Sequence, residues 1–297
     1  ARTVSAHLPE GASITLSLGE QSLATYRRWR EAGGKTECMR YLLRMETSNP
    51  ELFAWLHPDG FAHEKAYDSR IQALADLRAA GFQVGTGGMI GLPGQTLADL
   101  CADIRLYQRL DADMLGMGPY ILSQGADMRD DGMQEPGPLL QLALNMLAVC
   151  RLVLRDVNLA AATALQVLAE DGREQGIAHG ANIIMPNITP RAVRRRYQLY
   201  DDKPCIDEEP TDCRACLEGR IQRMGRRVGW DAWGCSRHFR RRMNLPLAAP
   251  APSAPPGPAA GMRIRAGSIP VRFTPSRGDP VRHEQRDAVI SSANDQD

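Results

Sequence analysis

Between residues 13 and 187, short apolar runs alternate with amphipathic stretches, the pattern of β-strands joined by helices in a parallel sheet or barrel. Six runs read as strands, over 14–17, 41–44, 83–90, 114–121, 158–164 and 181–185. Two of the intervening helices are legible. Thr96 and Asp99 have the spacing of a capping box, with Leu97, Leu100, Cys101 and Ile104 on one face; a second helix starts near Asp68 with Ile71, Leu74 and Leu77 inward. Six strands are two short of a closed (β/α)8 barrel, so the expectation is a TIM-type α/β barrel over 1–187 that lacks its first two strands, as an N-terminally incomplete chain would.

Two strand ends carry the polar chemistry. Tyr41-Leu-Leu-Arg-Met-Glu-Thr-Ser-Asn-Pro50 and Gly85-Thr-Gly-Gly-Met-Ile-Gly-Leu-Pro-Gly-Gln-Thr96 each run from apolar residues into polar or glycine-rich ones, and strand ends are where barrel enzymes place ligand-binding groups. Arg44 and Glu46, two apart, should point to the same side of a strand. Aimed at a barrel interior, they are costly unless they hold each other or a polar ligand. The glycine stretch has Ile90 where a dinucleotide fingerprint needs its third glycine, and it lacks the lysine of a phosphate-binding loop. Its glycines serve either a close backbone approach to a ligand or a tight strand-to-helix turn.

With 43% hydrophobic residues in 297, the chain can bury a sizeable core. Its 36 basic and 35 acidic side chains give no global pull toward nucleic acid or membrane. No apolar run approaches the roughly eighteen residues of a membrane span, and a cytoplasmic address is the default. The basic runs at Arg194–Arg196 and Arg240–Arg242 lack the aromatic interleaving of a nucleic-acid surface.

Residues 188–244 form a cysteine- and arginine-rich extension expected to pack on the barrel, and 245–297, rich in proline and alanine, read as a disordered tail. Seven cysteines, an odd number clustered toward one end, argue for metal or free thiols over a disulfide framework. Cys213 and Cys216 form a Cys-x2-Cys pair with Cys205 eight residues upstream; such thiolates can hold zinc or an iron-sulfur cluster, with Cys235 or His238 as a fourth ligand. Arg70 at a helix start is a candidate carboxylate fork. Arg173 and 180–187 mark the last strand and its top loop, and Tyr197 and Tyr200 would share a helix face.

Five co-linear motifs (13–20, 41–50, 89–96, Gly180-Ala-Asn-Ile-Ile-Met-Pro-Asn187 and Tyr197-Gln-Leu-Tyr200) closely resemble the radical S-adenosylmethionine maturases of the FeFe-hydrogenase active-site cluster, relatives of biotin synthase and methylornithine synthase. The resemblance implies a radical S-adenosylmethionine barrel of which strands three to eight are present. It implies that Glu46 binds the amino acid portion of S-adenosylmethionine, that Arg70 grips its carboxylate and that Arg44 lines the cavity beside them. Thr163, Tyr197 and Tyr200 fall around the substrate cavity, with Ala162 in place of an expected threonine. Cys205, Cys213 and Cys216 match ligands of an auxiliary two-iron (2Fe-2S) cluster. The implied substrate is an organometallic iron species or an amino-acid-derived small molecule, and the implied partners are other hydrogenase maturases. The Cys-x3-Cys-x2-Cys motif that holds the catalytic four-iron (4Fe-4S) cluster is not among these residues, and 35–40 read as a short insertion. Without that cluster the chain by itself is expected to be inactive. Two alternatives are an amino-acid-modifying enzyme of the same class and a non-catalytic module binding S-adenosylmethionine or an iron-sulfur cluster.

Overall fold

Six parallel strands pair in strict sequence order: β1 (Thr15–Leu16), β2 (Arg40–Leu42), β3 (Gln83–Thr86), β5 (Met114–Leu115), β7 (Asn158–Ala161) and β8 (Ile183–Ile184). This is the partial barrel wall expected. The computed structural model describes residues 13–33, 38–58, 66–122, 134–194, 204–205, 207, 210–230 and 233–247, all within one compact unit, Ala1–Gly257. Register is fixed by pairs such as Arg40 with Gln83, Gly85 with Met114, Met114 with Asn158 and Ala160 with Ile183.

Two predicted strands are each broken by glycine. The 83–90 run divides at Gly87-Gly88 into β3 and β4 (Met89–Ile90), and the 114–121 run divides at Gly116-Met117 into β5 and β6 (Gly118–Pro119). Strands β4 and β6 pair with each other as a separate short ladder at the upper rim. The glycines let the wall bend at one level, and Gly87, at φ +149, sits where an added Cβ would come 2.2 Å from the Gly116 carbonyl oxygen.

Helices cover the outer face. Helix α1 (Leu23–Ala32) and α3 (Tyr67–Ala79) pack on β2 and β3 around Tyr26, Tyr41, Leu77 and Phe82. The Tyr41 ring meets Tyr26 and Phe82 edge-on at 5.2 and 5.6 Å. Helix α4 (Leu97–Arg109) has the expected capping box, but its inward face is Leu100, Asp103, Ile104 and Tyr107, while Leu97 and Cys101 are exposed. A buried aspartate at a core-facing position is what apolar periodicity could not show.

Helix α5 (Pro136–Leu154) corrects the expectation that no segment is long and apolar enough to span a bilayer. An 18-residue window within its 19 residues reaches a mean hydropathy of 1.6, with Gln141, Asn145 and Arg151 as single interruptions. It turns Leu139, Ala143, Leu147 and Cys150 into the core formed by β5, β7 and α4; a core helix passes the same length and hydropathy test.

The segment 233–242, ending in α10 (Arg237–Arg242), straps the N-terminal ends of four strands. The Trp233 carbonyl accepts from Arg40 of β2, the Ser236 amide donates to Gln83 of β3 at 3.0 Å, and Asn158 of β7 donates to the Gly234 carbonyl at 2.9 Å. His238 and Arg242 close on Asp113, just ahead of β5. Cys235 lies in this strap and forms a disulfide with Cys38 across 197 residues, with Cα atoms 5.8 Å apart. The expectation of free thiols is thus corrected for this pair, and Cys235 and His238 are not ligands to the later cysteines. Sequence spacing carries no information about a partner so far away. Unfolding without reductant is expected to leave five cysteines open to alkylation, counted by mass. Reduction should cost about 2–4 kcal/mol of stability in denaturant titration; an unchanged midpoint would remove the disulfide from the fold's support.

Candidate active site at the strand ends

After β2 the backbone keeps its alternation, with Tyr41, Leu43 and Met45 buried and Leu42, Arg44 and Glu46 half-buried on the opposite side. Glu46 then takes φ +66, the left-handed region that a side chain with a Cβ rarely adopts. Three backbone contacts hold it there: its amide donates to the Gly87 carbonyl at 3.0 Å, its carbonyl accepts from Met89 at 3.0 Å, and it bridges Gly88 in parallel register. The strained glutamate and the glycine bend are therefore one structure. Strain of this kind, imposed by surroundings that over-determine it, points to a functional position.

Arg44 and Glu46 do meet, with Nη2 and Oε2 3.0 Å apart, and Arg44 Nη2 also donates to the Gly88 carbonyl at 2.9 Å. Yet Glu46 Oε2 and Arg44 Nε are buried without a hydrogen bond, because the ion pair is out of line for one. An orphaned acceptor and an orphaned donor side by side suit a zwitterionic ligand.

Arg70 enters from the first turn of α3 and is buried. It bonds Glu20 and the Arg44 carbonyl and lies over the Phe53 ring at 5.4 Å. Glu20 is delivered by the loop after β1, which Tyr41 and Tyr26 hold through hydroxyl bonds to the Gly19 carbonyl at 2.8 and 3.3 Å. Arg44, Glu46 and Arg70 thus converge at one rim. Glu20 completes the group, and its place in the 13–20 motif was the signal that could have marked it.

The loop after Glu46 is moored to α4. Asn49 caps α2 (Pro50–Leu56) and donates to Asp99 at 3.0 Å, and the Ser48 amide donates to Asp103 at 2.5 Å. Burial pushes the Asp103 carboxyl up to about 6, partly offset by the Ser48 bond. A carboxyl whose folded pKa exceeds its unfolded value near 3.8 stabilises the fold when protonated, and this contribution is lost as pH rises through about 6. Asp103→Asn is expected to flatten the stability profile between pH 4 and 6 and to remove a penalty of up to about 3 kcal/mol at pH 7. Denaturant midpoints across that range check it; a variant as pH-dependent as the parent sinks the assignment.

Beyond β7 and β8 lies a second cavity, of about 220 Å³, lined by Thr163, Arg173, Met185, Asn187, Cys205 and Cys213. Two short helices, α6 (Leu165–Leu168) and α7 (Gly172–Ala178), follow β7, and Arg173, the second residue of α7, reaches the cavity. Arg194 in α8 (Arg191–Arg194) is buried beside this cavity. It donates to the carbonyls of Thr189, Cys205 and Asn187 at 2.9, 2.9 and 3.3 Å, so its place in a basic run reflects a buried staple. Ala162, where a threonine was expected, faces Gly118, whose added Cβ would stand 2.9 Å away.

The cysteine trio is divided. Cys213, on α9 (Pro210–Arg223), is buried and its sulfur accepts from the Asn187 amide at 3.3 Å; Cys205 lines the same cavity, whereas Cys216 is exposed. Among the described residues no three His, Cys, Asp or Glu side chains gather as a metal shell, so the trio as placed does not fit a three-thiolate cluster. Tyr197 and Tyr200 lie outside the described residues, as does most of 245–297.

A partial parallel barrel with its polar groups at the strand ends is an α/β architecture shared with solved barrel enzymes. The solved structure of methylornithine synthase (PylB) superposes with a TM-score of 0.60 at 22% identity, covering 77% of this chain and 62% of that one. A curated relative is [FeFe] hydrogenase maturase subunit HydE of Thermotoga maritima, to which the chain is 39% identical over 229 residues, 77% of its own length. The chain spans 62% of the length of that relative. No family model matches.

Proposed function

We propose that the protein carrying these residues is a radical S-adenosylmethionine enzyme acting in assembly of the di-iron subcluster of FeFe hydrogenase, alongside other maturases and on a small iron-containing or amino-acid-derived substrate. The likeness to HydE supports it. The observation that carries it is the rim group, in which Glu46 is held at positive φ with Oε2 unbonded, next to an unbonded Arg44 Nε and the buried Arg70. Glu46 would take the ammonium of the cofactor's methionine end. Arg70, whose Nε and Nη1 are engaged, would offer Nη2 to its carboxylate.

When bound, S-adenosylmethionine with its four-iron cluster supplies a 5′-deoxyadenosyl radical. None of the 297 residues forms the Cys-x3-Cys-x2-Cys ligand set, so no electron-transfer step is assigned to them; their work is to bind and orient the cofactor. The auxiliary two-iron reading at Cys205, Cys213 and Cys216 is supported by spacing and not by the placement of the thiols, and no step is routed through it.

The test uses protein expressed from the complete reading frame, reconstituted anaerobically with iron and sulfide and reduced with dithionite. 5′-Deoxyadenosine should form, and Glu46→Gln should weaken S-adenosylmethionine binding by about tenfold or more, the loss of one charge-assisted contact of roughly 1.5–3 kcal/mol. Absence of 5′-deoxyadenosine ends the enzymatic reading; unchanged affinity in Glu46→Gln ends the placement of the cofactor.

A further inference from the structure

The chain as a whole is nearly balanced in charge, with 36 basic and 35 acidic side chains, but one outer face is not. Helix α5 has no acidic residue in its 19. Toward its C-terminal end, Val149, Leu152 and Val153 stand on the solvent side, 43%, 75% and 40% exposed, at the three- and four-residue spacing that makes one ridge. At the foot of this ridge the chain meets α10: the His238 amide donates to the Asp156 carbonyl at 3.1 Å, and Arg241 pairs with the Asp156 carboxylate. Arg155, one residue ahead of Asp156, and Arg237, one ahead of His238, are thereby brought to the same end. Helix α4 shares a core with α5 and adds Arg105 on its own outer side.

Arg105, Arg155 and Arg237 are exposed, and none pairs with a carboxylate among the described residues. The neighbouring carboxylates are already engaged, Asp156 by Arg241, Asp111 by Arg78 and His238, and Asp113 by His238 and Arg242. An aliphatic ridge beside three uncompensated guanidiniums marks an interaction surface and sets the charge of what covers it. A two-fold dimer through this face would bring the same arginines together. Residues 248–297 carry six arginines against five acidic side chains and do not supply the counter-charge. The ridge has no aromatic ring on which a base could stack. It is also short for a lipid-binding stripe, since the exposed Asn145 and Gln141 interrupt it within two turns.

We propose that the outer face of α5 docks an acidic amphipathic helix of a partner protein, with an aliphatic stripe laid over Val149, Leu152 and Val153 and carboxylates on Arg105, Arg155 and Arg237. From Asn145 to Arg155 the face is about 15 Å long at roughly 1.5 Å per residue, room for three turns of a helix whose anchors recur at i, i+3, i+4 and i+7. The guanidinium forks suit carboxylates. This surface runs to the N-terminal ends of the strands, opposite the rim of Arg44, Glu46 and Arg70, so a docked partner leaves that rim open. The two readings stand or fall separately, because docking is read without iron or S-adenosylmethionine.

The test uses protein expressed from the complete reading frame and a fluorescent peptide of about twenty residues, long enough to hold a helix, with leucines on one face and glutamates flanking them. Anisotropy should show saturable binding that weakens as salt is raised. A scrambled peptide of the same composition, and one with lysine in place of glutamate, should not bind. Leu152→Glu and the double variant Arg155→Glu/Arg237→Glu should each weaken binding by about tenfold or more. The double variant should take up the lysine peptide instead, an exchange that misfolding cannot mimic. Vesicles of phosphatidylcholine and phosphatidylglycerol should leave the protein in solution on sedimentation. No binding of the glutamate peptide, equal binding of the scrambled one, or unchanged affinity in the variants overturns the surface. Vesicle binding that Leu152→Glu abolishes, without peptide binding, overturns the protein partner and assigns the face to a lipid surface.

Discussion

Gly87→Ala is expected to lower Tm by on the order of 10 °C. The glycine is at φ +149, a region that costs a residue bearing a Cβ about 1–3 kcal/mol. The added methyl would also lie 2.2 Å from the Gly116 oxygen and 2.7 Å from its carbonyl carbon, both backbone atoms of the neighbouring strand. Relieving that contact means separating β3 from β5 at Thr86 and Leu115, and overpacking of this kind adds about 1–3 kcal/mol more. A total near 4 kcal/mol converts to such a shift at roughly 2–4 °C per kcal/mol. The Gly87 carbonyl receives the Glu46 amide, so S-adenosylmethionine affinity should fall with stability. Thermal unfolding by circular dichroism beside a binding titration reads both, and an alanine variant with parental Tm would show that the wall is free to bend here without glycine.

Asp113→Ala should cost about 3–5 kcal/mol, the usual penalty for removing one partner from a buried ionic network. The Asp113 side chain has no exposure and serves three donors: the Val84 amide at 2.9 Å, the His238 Nδ1 at 2.9 Å and the Arg242 guanidinium. His238 also places Nε2 2.8 Å from Asp111 Oδ1, and Arg78 pairs with Asp111. Losing the carboxylate leaves the Arg242 guanidinium with the Phe82 carbonyl, the Met243 sulfur and the Phe239 ring, and loosens α10, which Asp156 still holds through His238 and Arg241. Asp113→Asn, which can still accept from Val84, should lose less. A double-mutant cycle with His238→Ala measures the pair directly, and a coupling near zero would show that the strap is held by its backbone bonds and the disulfide instead.

How far the sequence reached can be judged at particular residues. The six strands and their parallel order were legible because each is a short apolar run followed by an amphipathic helix, and the capping box at Thr96 and Asp99 is a purely local device. The Arg44–Glu46 pair was legible as two residues on one side of an extended chain. The positive φ that fixes Glu46 was not, since it depends on carbonyl and amide groups supplied by Gly87 and Met89 from another strand. Leu97 and Cys101 were placed inward by periodicity alone, and Asp103 took that face because Ser48, 55 residues earlier in the chain, needed an acceptor there.

The extension shows the same division more sharply. Spacing suggested that Cys235 or His238 could complete the ligand set of Cys205, Cys213 and Cys216, because all lie within a few dozen residues. In the fold they separate to opposite ends of the strands, Cys235 and His238 at the N-terminal ends and Cys205 and Cys213 beyond β8 at the C-terminal ends. Arg173 and Arg194 are indistinguishable as letters, yet one is saturated by carbonyls and the other faces a cavity.

By itself the sequence determined the α/β alternation, the strand order and, of the residues gathered at the rim, Arg44, Glu46 and Arg70 but not Glu20, because hydrophobic periodicity, caps and strand-end polarity act within about a dozen neighbours. Only the tertiary structure decided the glycine bend that positions Glu46, the Cys38–Cys235 bond, the strap over Asp113 and the burial of Arg173 beside Gln166. The first three are meetings of groups from distant parts of the chain, and such a meeting has no period, spacing or composition by which it can be read in advance.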